Sequence, residues 1–365
     1  MKKFALVLIG ARKGGLERRI LRLCEYLQNQ ESSKDQFILF CSSPILNLAR
    51  EEKIVDIRFP YIEIPMIGNK ISLKHIFLVL KKLWQNRNQF ESVAVFGASI
   101  KLAWLLPPNK RICSFIVNRE PFLKRQRHFL FRYFVLFGLK RSHSIDALTP
   151  ENKRYLVQEC PKLENKISVS PCSFIHHEPE VPFSKKEKLI TWAGHFVPTN
   201  QPELFLQTIS ECKNVIEESN YQVSMYGFGD LEPLVRKKIS QLHLEKMVHV
   251  SYVSPLTNAL KSSCIHIMTA ETNNYGTQVL FEALSNGCII LATDVGDTNL
   301  LVDEKNGLLS KSDPSSLAKN LVYLMNLPKE KLSQMSKISR KKAEKHNIDD
   351  YSSHFLKVLN GKKFT

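Results

Sequence analysis

Between Met268 and Leu309 the chain gathers residue types that suit a phosphorylated nucleoside. An apolar run ends at Ala270. A polar loop follows, Glu271-Thr272-Asn273-Asn274-Tyr275-Gly276-Thr277-Gln278, and then an amphipathic segment that carries Glu282. Gly276 lets the backbone come close to a ligand, and the amides that open a helix attract phosphate oxygens. Glu282, one to two turns into that helix, is placed to accept two hydrogen bonds from ribose hydroxyls, as an acidic residue does in dinucleotide folds. Taken alone, a strand, loop and helix with a Glu is a weak signal, and the same carboxylate reads more readily as an ordinary surface residue. Gly287, Asp294-Val295-Gly296 and Asn306-Gly307-Leu308-Leu309 complete the set.

The elements that must position these residues read as two runs of short apolar strands alternating with amphipathic helices. That is the pattern of doubly wound parallel sheets with helices on both faces. In the first run, strands are expected at Phe4–Ile9, Gln36–Cys41, Ile54–Arg58, Ser92–Phe96, Cys113–Asn118, Ser144–Thr149 and Lys166–Ser170. Helices are expected at Leu16–Gln28, Leu73–Asn86 and Phe122–Leu139. The proline-bearing stretch from Ser173 to Glu187 reads as a linker. The second run has strands at Leu189–Ala193, Gln222–Tyr226, Val248–Tyr252, Ile265–Thr269 and Cys288–Thr293. Its helices are Pro202–Cys212, Leu231–Leu242, Pro255–Ser262, Thr277–Asn286 (ending at Gly287, a left-handed cap), Pro314–Met325 and Lys329–His346. A last helix covers Asp349–Leu359. The expected division is an N-terminal Rossmann-like domain over 1–175, a linker over 176–187, a C-terminal Rossmann-like domain over 188–346, and a terminal helix over 347–365 that returns toward the N-terminal domain.

With 365 residues, 43% hydrophobic and 24% charged, the chain suits two globular domains. Its net charge of +17 is uneven: residues 1–180 hold 30 Lys+Arg against 16 Asp+Glu, and residues 181–365 hold 22 against 19. Such a basic half suits an anionic surface, whether membrane phospholipid, a lipid diphosphate or nucleic acid. No nucleic-acid recognition motif accompanies the charge, so nucleic acid is not expected as a partner. The basic start and six-residue apolar run at Phe4–Ile9 read as a buried first strand, because a signal peptide needs a longer apolar region and a cleavage site. The longest later apolar stretch, Phe129–Leu139, is too short to span a bilayer. Eight scattered cysteines form no Cys-x-x-Cys pair or ligand cluster and read as reduced structural thiols of a cytoplasmic protein. The first loop, Gly10-Ala11-Arg12-Lys13-Gly14-Gly15, lacks the G-x-G-x-x-G spacing of a nicotinamide dehydrogenase.

The string from Tyr275 to Gly287, with Ala292-Thr293-Asp294-Val295-Gly296 and Asn306-Gly307-Leu308, resembles the donor-site signature of family 4 glycosyltransferases. Ile190-Thr191-Trp192-Ala193-Gly194, Tyr226-Gly227-Phe228-Gly229-Asp230 and Gly14-Gly15-Leu16-Glu17-Arg18 fit the same pattern in order. The likeness is specific over about residues 188–310 and looser elsewhere. It implies the two-domain GT-B fold and retaining transfer from a nucleotide-sugar, with neither cofactor nor metal. It also implies that Glu282 binds ribose, that Tyr275, Gly276, Thr277, Gln278 and Gly227 line the sugar and diphosphate, and that Gly14 and Gly15 approach the donor from the other domain.

Three positions depart from that pattern. The family's earlier Glu falls at Asn274, or at Asn273 if the loop carries an insertion, and Glu271 is the nearby carboxylate. The family's Arg and Lys, which neutralise the leaving diphosphate, are replaced by His195 and Thr199. Losing two fixed cations weakens transition-state stabilisation by several kcal/mol unless other groups replace them; protonated His195 and the cations of the basic half are the substitutes on hand. Asn118, Arg119 and Glu120, at a strand end, are candidates to contact acceptor or diphosphate. The aromatic and basic run from Phe122 to Arg141 reads either as an interfacial helix on anionic lipid or as a core helix with a solvated rim, and Lys70–Arg87 is similar. Glu271, Asn274, His195 and Arg119 are therefore the expected catalytic residues, with Thr199 beside the donor. The expected activity is assembly of a surface polysaccharide or lipopolysaccharide on a glycan or lipid-linked acceptor. It would take place in the cytoplasm, peripheral on the inner face of the membrane. The alternatives are a GT-B protein that has lost catalysis and partners an active transferase, and, more remotely, a sugar-nucleotide epimerase.

Overall fold

The computed structural model describes residues 3–10, 15–30, 36–51, 55–66, 72–107, 110–116, 129–171, 179, 181–253 and 255–361. Thirteen strands and thirteen α-helices occur among them. The chain divides into two units, Met1–Phe174 with Ile348–Thr365, and Ile175–Asn347.

The first unit runs β1 (Lys3–Leu8), α1 (Gly15–Asn29), β2 (Gln36–Ser42), α2 (Ser43–Glu51), β3 (Tyr61–Ile64), α3 (Leu73–Gln85), β4 (Ser92–Phe96), a three-ten helix (Gly97–Leu105), β5 (Arg111–Ile116), α4 (Phe129–Arg141), β6 (Ser144–Ala147), α5 (Pro150–Glu159) and β7 (Ile167–Val169). Its strands form one parallel sheet in the order β3-β2-β1-β4-β5-β6-β7. The central strands are apolar on both faces because each face is covered. One face packs under α3, the three-ten helix and α4, through Val79, Leu83, Ala103, Val135 and Leu139. The other packs under α1 and α2, through Leu23, Leu27, Ile45 and Leu46.

The second unit runs β8 (Leu189–His195), α6 (Pro202–Glu211), α7 (Lys213–Glu218), β9 (Gln222–Phe228), α8 (Glu232–Gln241), β10 (Val248–Ser251), α9 (Thr257–Ser262), β11 (Ile265–Met268), α10 (Gln278–Ser285), β12 (Ile289–Thr293), β13 (Gly307–Ser310), α11 (Pro314–Met325) and α12 (Lys329–Ala343). The parallel sheet is ordered β10-β9-β8-β11-β12-β13. Local signals place its helices: Pro202 and Pro314 sit at first helical positions, and the Asp313 carboxylate accepts the Ser316 amide at 2.8 Å. Gly287 (φ 68°) ends α10 in the left-handed conformation.

The last helix, α13 (Ile348–Leu359), belongs to the first unit. Phe355 lies 5.1 Å from Phe115 and 6.1 Å from Phe96, centroid to centroid. The Ser144 hydroxyl donates to the Val358 carbonyl at 2.9 Å, and the Arg111 guanidinium donates to the Asn360 carbonyl at 2.7 Å. His354 meets the buried Asp146 carboxylate at 2.6 Å; burial pushes that carboxyl above its usual range, and His354 and Arg19 work in the opposite direction.

Several elements differ from the sequence expectation. The third strand is Tyr61–Ile64, and the described part of Ile54–Arg58 contains no strand. Helices α2, α5 and α7, the three-ten helix and β13 carry no separate signal in the expected series. Asn118, Arg119, Glu120 and the start of the Phe122–Leu139 helix lie outside the described residues, and α4 runs from Phe129 to Arg141. The seven described cysteines are all buried free thiols. Burial pushes Cys113 up to about 11 and Cys212 up to about 12, far from thiolate chemistry.

Candidate functional site

In the second unit the strand order reverses between β8 and β11. In an open α/β sheet such a reversal leaves a crevice outside the carboxyl ends of the strands. Two loops leave the sheet there, residues 196–201 after β8 and 269–277 after β11, and the chain ties them together. The Glu271 amide donates to the Thr199 carbonyl at 2.9 Å. The Thr269 hydroxyl reaches the Asn200 and Gln201 carbonyls at 2.7 and 3.1 Å and accepts the Trp192 indole N–H at 2.9 Å. Gln201 adopts φ 47°, a left-handed conformation that is uncommon outside glycine and that clusters at ligand sites. The loop that follows His195 is therefore joined through Thr199 to Glu271, at the start of the loop that leads to Gln278.

The second loop is built around Asn274, which is fully buried. Its amide donates to the Thr293 carbonyl at 3.2 Å and the Thr293 hydroxyl at 3.1 Å, and its carbonyl accepts the Ala270 amide at 3.3 Å. Asn273 accepts the Tyr275 and Asp297 amides at 2.9 and 3.3 Å. Gly296 (φ 56°) packs against this loop so closely that an added Cβ would lie 2.6 Å from Asn273 Cγ, which accounts for the Asp294-Val295-Gly296 run. Asn274 is thus spent on holding the loop. Its side chain turns inward, unlike the outward position expected of a catalytic group.

Gly276 is buried at φ 82°, so a side chain there would be strained. Thr277 is the N-cap of α10: its hydroxyl accepts the Leu280 amide at 3.3 Å and donates to the Asn274 carbonyl at 2.9 Å. The amides of Gln278 and Val279 follow that cap as the first of the helix and form the positive end of its dipole. Glu282 is half-buried one turn further on, and the Gln278 side-chain amide donates to its carboxylate at 2.8 Å. That bond fixes one carboxylate oxygen and the rotamer. Tyr275 is half-buried, with its ring 6.4 Å from that of Phe281.

Gly227 lies in β9 opposite Gly194 in β8, where a Cβ would fall 2.1 Å from the Gly194 carbonyl oxygen. Sheet packing alone therefore requires glycine at this position. Sequence reasoning missed a row of rings at the carboxyl ends of β8, β9 and β10. His195 stands edge-on to Phe228 at 4.7 Å, and Phe228 edge-on to Tyr252 at 5.1 Å. Only the sheet order brings the three together, so no local spacing could have shown it. In the first unit, Gly15 opens α1 and is exposed, while Gly14 and Arg119 lie outside the described residues. Among the described residues no group of His, Cys, Asp and Glu could hold a metal ion.

Residues 174–342, nearly the whole second unit, match the family described as Glycosyl transferases group 1. No curated protein sequence matches the chain. Solved structures that match it over its length include a mutant of S. aureus TarM in complex with Fondaparinux, alpha-GlcNAc-glycerol and UDP. There the TM-score is 0.75 at 13% identity, over 99% of this chain and 100% of that one. Anabaena HepE in complex with UDP and glucose gives 0.74 at 12%, over 99% and 100%. Sucrose-phosphate synthase from Thermosynechococcus elongatus gives 0.76 at 13%, over 99% and 98%. Identities this low carry the fold alone, and that fold is GT-B.

Proposed function

We propose, from the premise that the chain is a glycosyltransferase of the GT-B fold with a group 1 second unit, that it transfers a sugar from a UDP-sugar to a glycan or lipid-linked acceptor with retention of configuration. The observation that carries this reading is the reversal of the second sheet, where the loop after β8, through Thr199, is tied to Glu271 in the loop that leads into α10. UDP is favoured because S. aureus TarM, Anabaena HepE and the pneumococcal O-GlcNAc transferase GtfA were each solved with it. Retention is what the family 4 resemblance implies.

In this reading Glu282, its rotamer set by Gln278, accepts both ribose hydroxyls. The amides of Gln278 and Val279, at the positive end of α10, take oxygens of the diphosphate, and Gly276 keeps the approach clear. His195, when protonated, supplies charge as the diphosphate leaves. Glu271, exposed at the crevice, takes a sugar hydroxyl, and the Phe228–Tyr252 pair offers the base an aromatic face. The reaction requires no metal or other cofactor in this scheme. Its setting is surface polysaccharide or lipopolysaccharide assembly in the cytoplasm, against the inner membrane face.

The second reading is a GT-B protein without turnover that partners an active transferase. Asn274 favours it, because the place where the resembled family carries a Glu is occupied here by a buried structural amide. The two readings separate on incubation with UDP-sugars and a candidate acceptor, followed by proton NMR of the anomeric centre. Product or slow hydrolysis with the donor's configuration kept supports the transferase. An inverted anomer refutes retention, and donor binding without turnover selects the partner reading.

A further inference from the structure

We propose that the layer formed by α3, the three-ten helix Gly97–Leu105 and α4 docks the protein onto the surface of an anionic lipid bilayer. The proposal gives the membrane location a named surface and stands independently of the donor chemistry.

Half of the large apolar side chains left exposed among the described residues lie on two helices of this one layer. They are Phe77 (68% exposed) and Trp84 (44%) on α3, with Tyr133 (66%), Phe134 (40%) and Phe137 (48%) on α4. Phe77, Lys81 and Trp84 stand at i, i+4 and i+7, so they form one outward stripe. Tyr133, Phe137 and Lys140 repeat that spacing on α4. The inward faces of the same helices are filled by Val79, Leu83, Val135 and Leu139, which belong to a single core cluster on one face of the sheet. Both stripes therefore leave the layer on the side away from the sheet. The three-ten helix lies against α4, with Trp104 stacked on Phe134 at 4.8 Å and the Arg141 guanidinium holding the Trp104 and Leu106 carbonyls.

The charge of the layer has one sign. None of its three helical segments contains an Asp or Glu, whereas Lys74, Lys81, Lys82 and Lys140 are distributed along them. Over residues 64–145 the sequence holds 15 Lys+Arg against two acidic residues, Glu91 and Glu120. A protein partner that covered five aromatic side chains would be expected to offer paired charges at its rim. Exposed rings interleaved with lysines, on helical segments that carry no carboxylate, instead complement a negatively charged interface. The lysines meet lipid phosphates, and Phe, Trp and Tyr rings settle at headgroup depth. No described helix is long and apolar enough to cross a membrane, so the contact is a surface one.

The test uses the full chain and vesicles of phosphatidylglycerol with phosphatidylcholine, compared with phosphatidylcholine alone. Co-sedimentation is expected on the anionic vesicles, to fall steeply between low salt and 0.5 M salt, and to be at least tenfold weaker on the neutral ones. Trp84 supplies a direct readout: its emission should shift to the blue on anionic vesicles, and Trp84→Phe should remove that shift while leaving co-sedimentation within a few-fold of wild type. Phe77→Ser with Tyr133→Ser and Phe137→Ser, and separately Lys74→Glu with Lys81→Glu and Lys140→Glu, should each reduce partitioning by tenfold or more. All six side chains are exposed, so the thermal transition should be unchanged, which keeps a folding failure distinguishable. Absence of partitioning at low salt would overturn the lipid occupant and leave the face to a protein partner. Partitioning that both sets of substitutions leave intact would place any membrane contact elsewhere and would equally refute the assignment.

Discussion

Replacing Asn274 separates a loop-holding amide from a catalytic side chain. Asn274→Ala removes from a fully buried position one accepted bond, from the Ala270 amide, and two N–H donors shared among the Thr293 carbonyl, the Thr293 hydroxyl and the Thr298 hydroxyl. At about 1 kcal/mol net for each bond, the loss is roughly 3 kcal/mol. For a cooperative unit of this size that lowers the transition by roughly 6–12 °C. Asn274→Asp keeps the shape but turns a donor into an acceptor facing the Thr293 carbonyl. At neutral pH it should therefore be less stable than the alanine variant, because a buried carboxylate lacks compensation. The introduced carboxyl has a folded pKa raised above its unfolded value. Its penalty is accordingly absent below the unfolded pKa and grows as pH rises toward the folded one. Urea unfolding of wild type and both variants at pH 5 and pH 8, followed by circular dichroism, measures all of this. An alanine variant within about 0.5 kcal/mol of wild type, or an aspartate variant that is the more stable at pH 8, would refute the loop assignment.

Two other perturbations test the frame around the site. Burial takes the His266 imidazole from 6.5 to about 3. The folded pKa lies below the unfolded one, so stability is complete above pH 6.5 and falls as pH drops, by about 1.4 kcal/mol per unit or roughly 2 kcal/mol at pH 5. His266→Phe should flatten that part of the pH–stability curve, and an unchanged slope would count against the assignment. Gly227→Ala must move the Gly194 carbonyl, so it should cost about 1–3 kcal/mol or more of stability in a thermal scan. A variant as stable as wild type would free Gly227 from its packing role and return it to the donor.

The fold was legible where strands are continuous apolar runs, as at Phe4–Ile9 and Ile289–Thr293, because parallel strands covered on both faces have that composition. It was not legible at Tyr61–Ile64, a four-residue edge strand carrying Glu63, nor at Gly307–Ser310, a four-residue strand that opens on a glycine. The glycine at 276 and the cap at Thr277 could be read locally, since a left-handed residue and a helix start leave marks in adjacent residues. The burial of Asn274 could not. Its partners Thr293 and Thr298 lie 19 and 24 residues on, across another helix and strand. The His195, Phe228 and Tyr252 row depends on which strands are neighbours, and only the sheet order supplies that.

The central claim is that the α10 end of the second sheet binds a nucleotide-sugar through Glu282. It is tested most directly by calorimetric titration of UDP-, GDP-, ADP- and dTDP-sugars into wild type and Glu282→Ala, with thermal scans to show that both are folded. The expected result is saturable binding of the UDP-sugar to wild type, weakened at least tenfold in the variant, with both proteins folded at the temperature of the titration. Equal affinity of the two proteins for the same donor would contradict the site, and binding of none of the four donors would contradict the function.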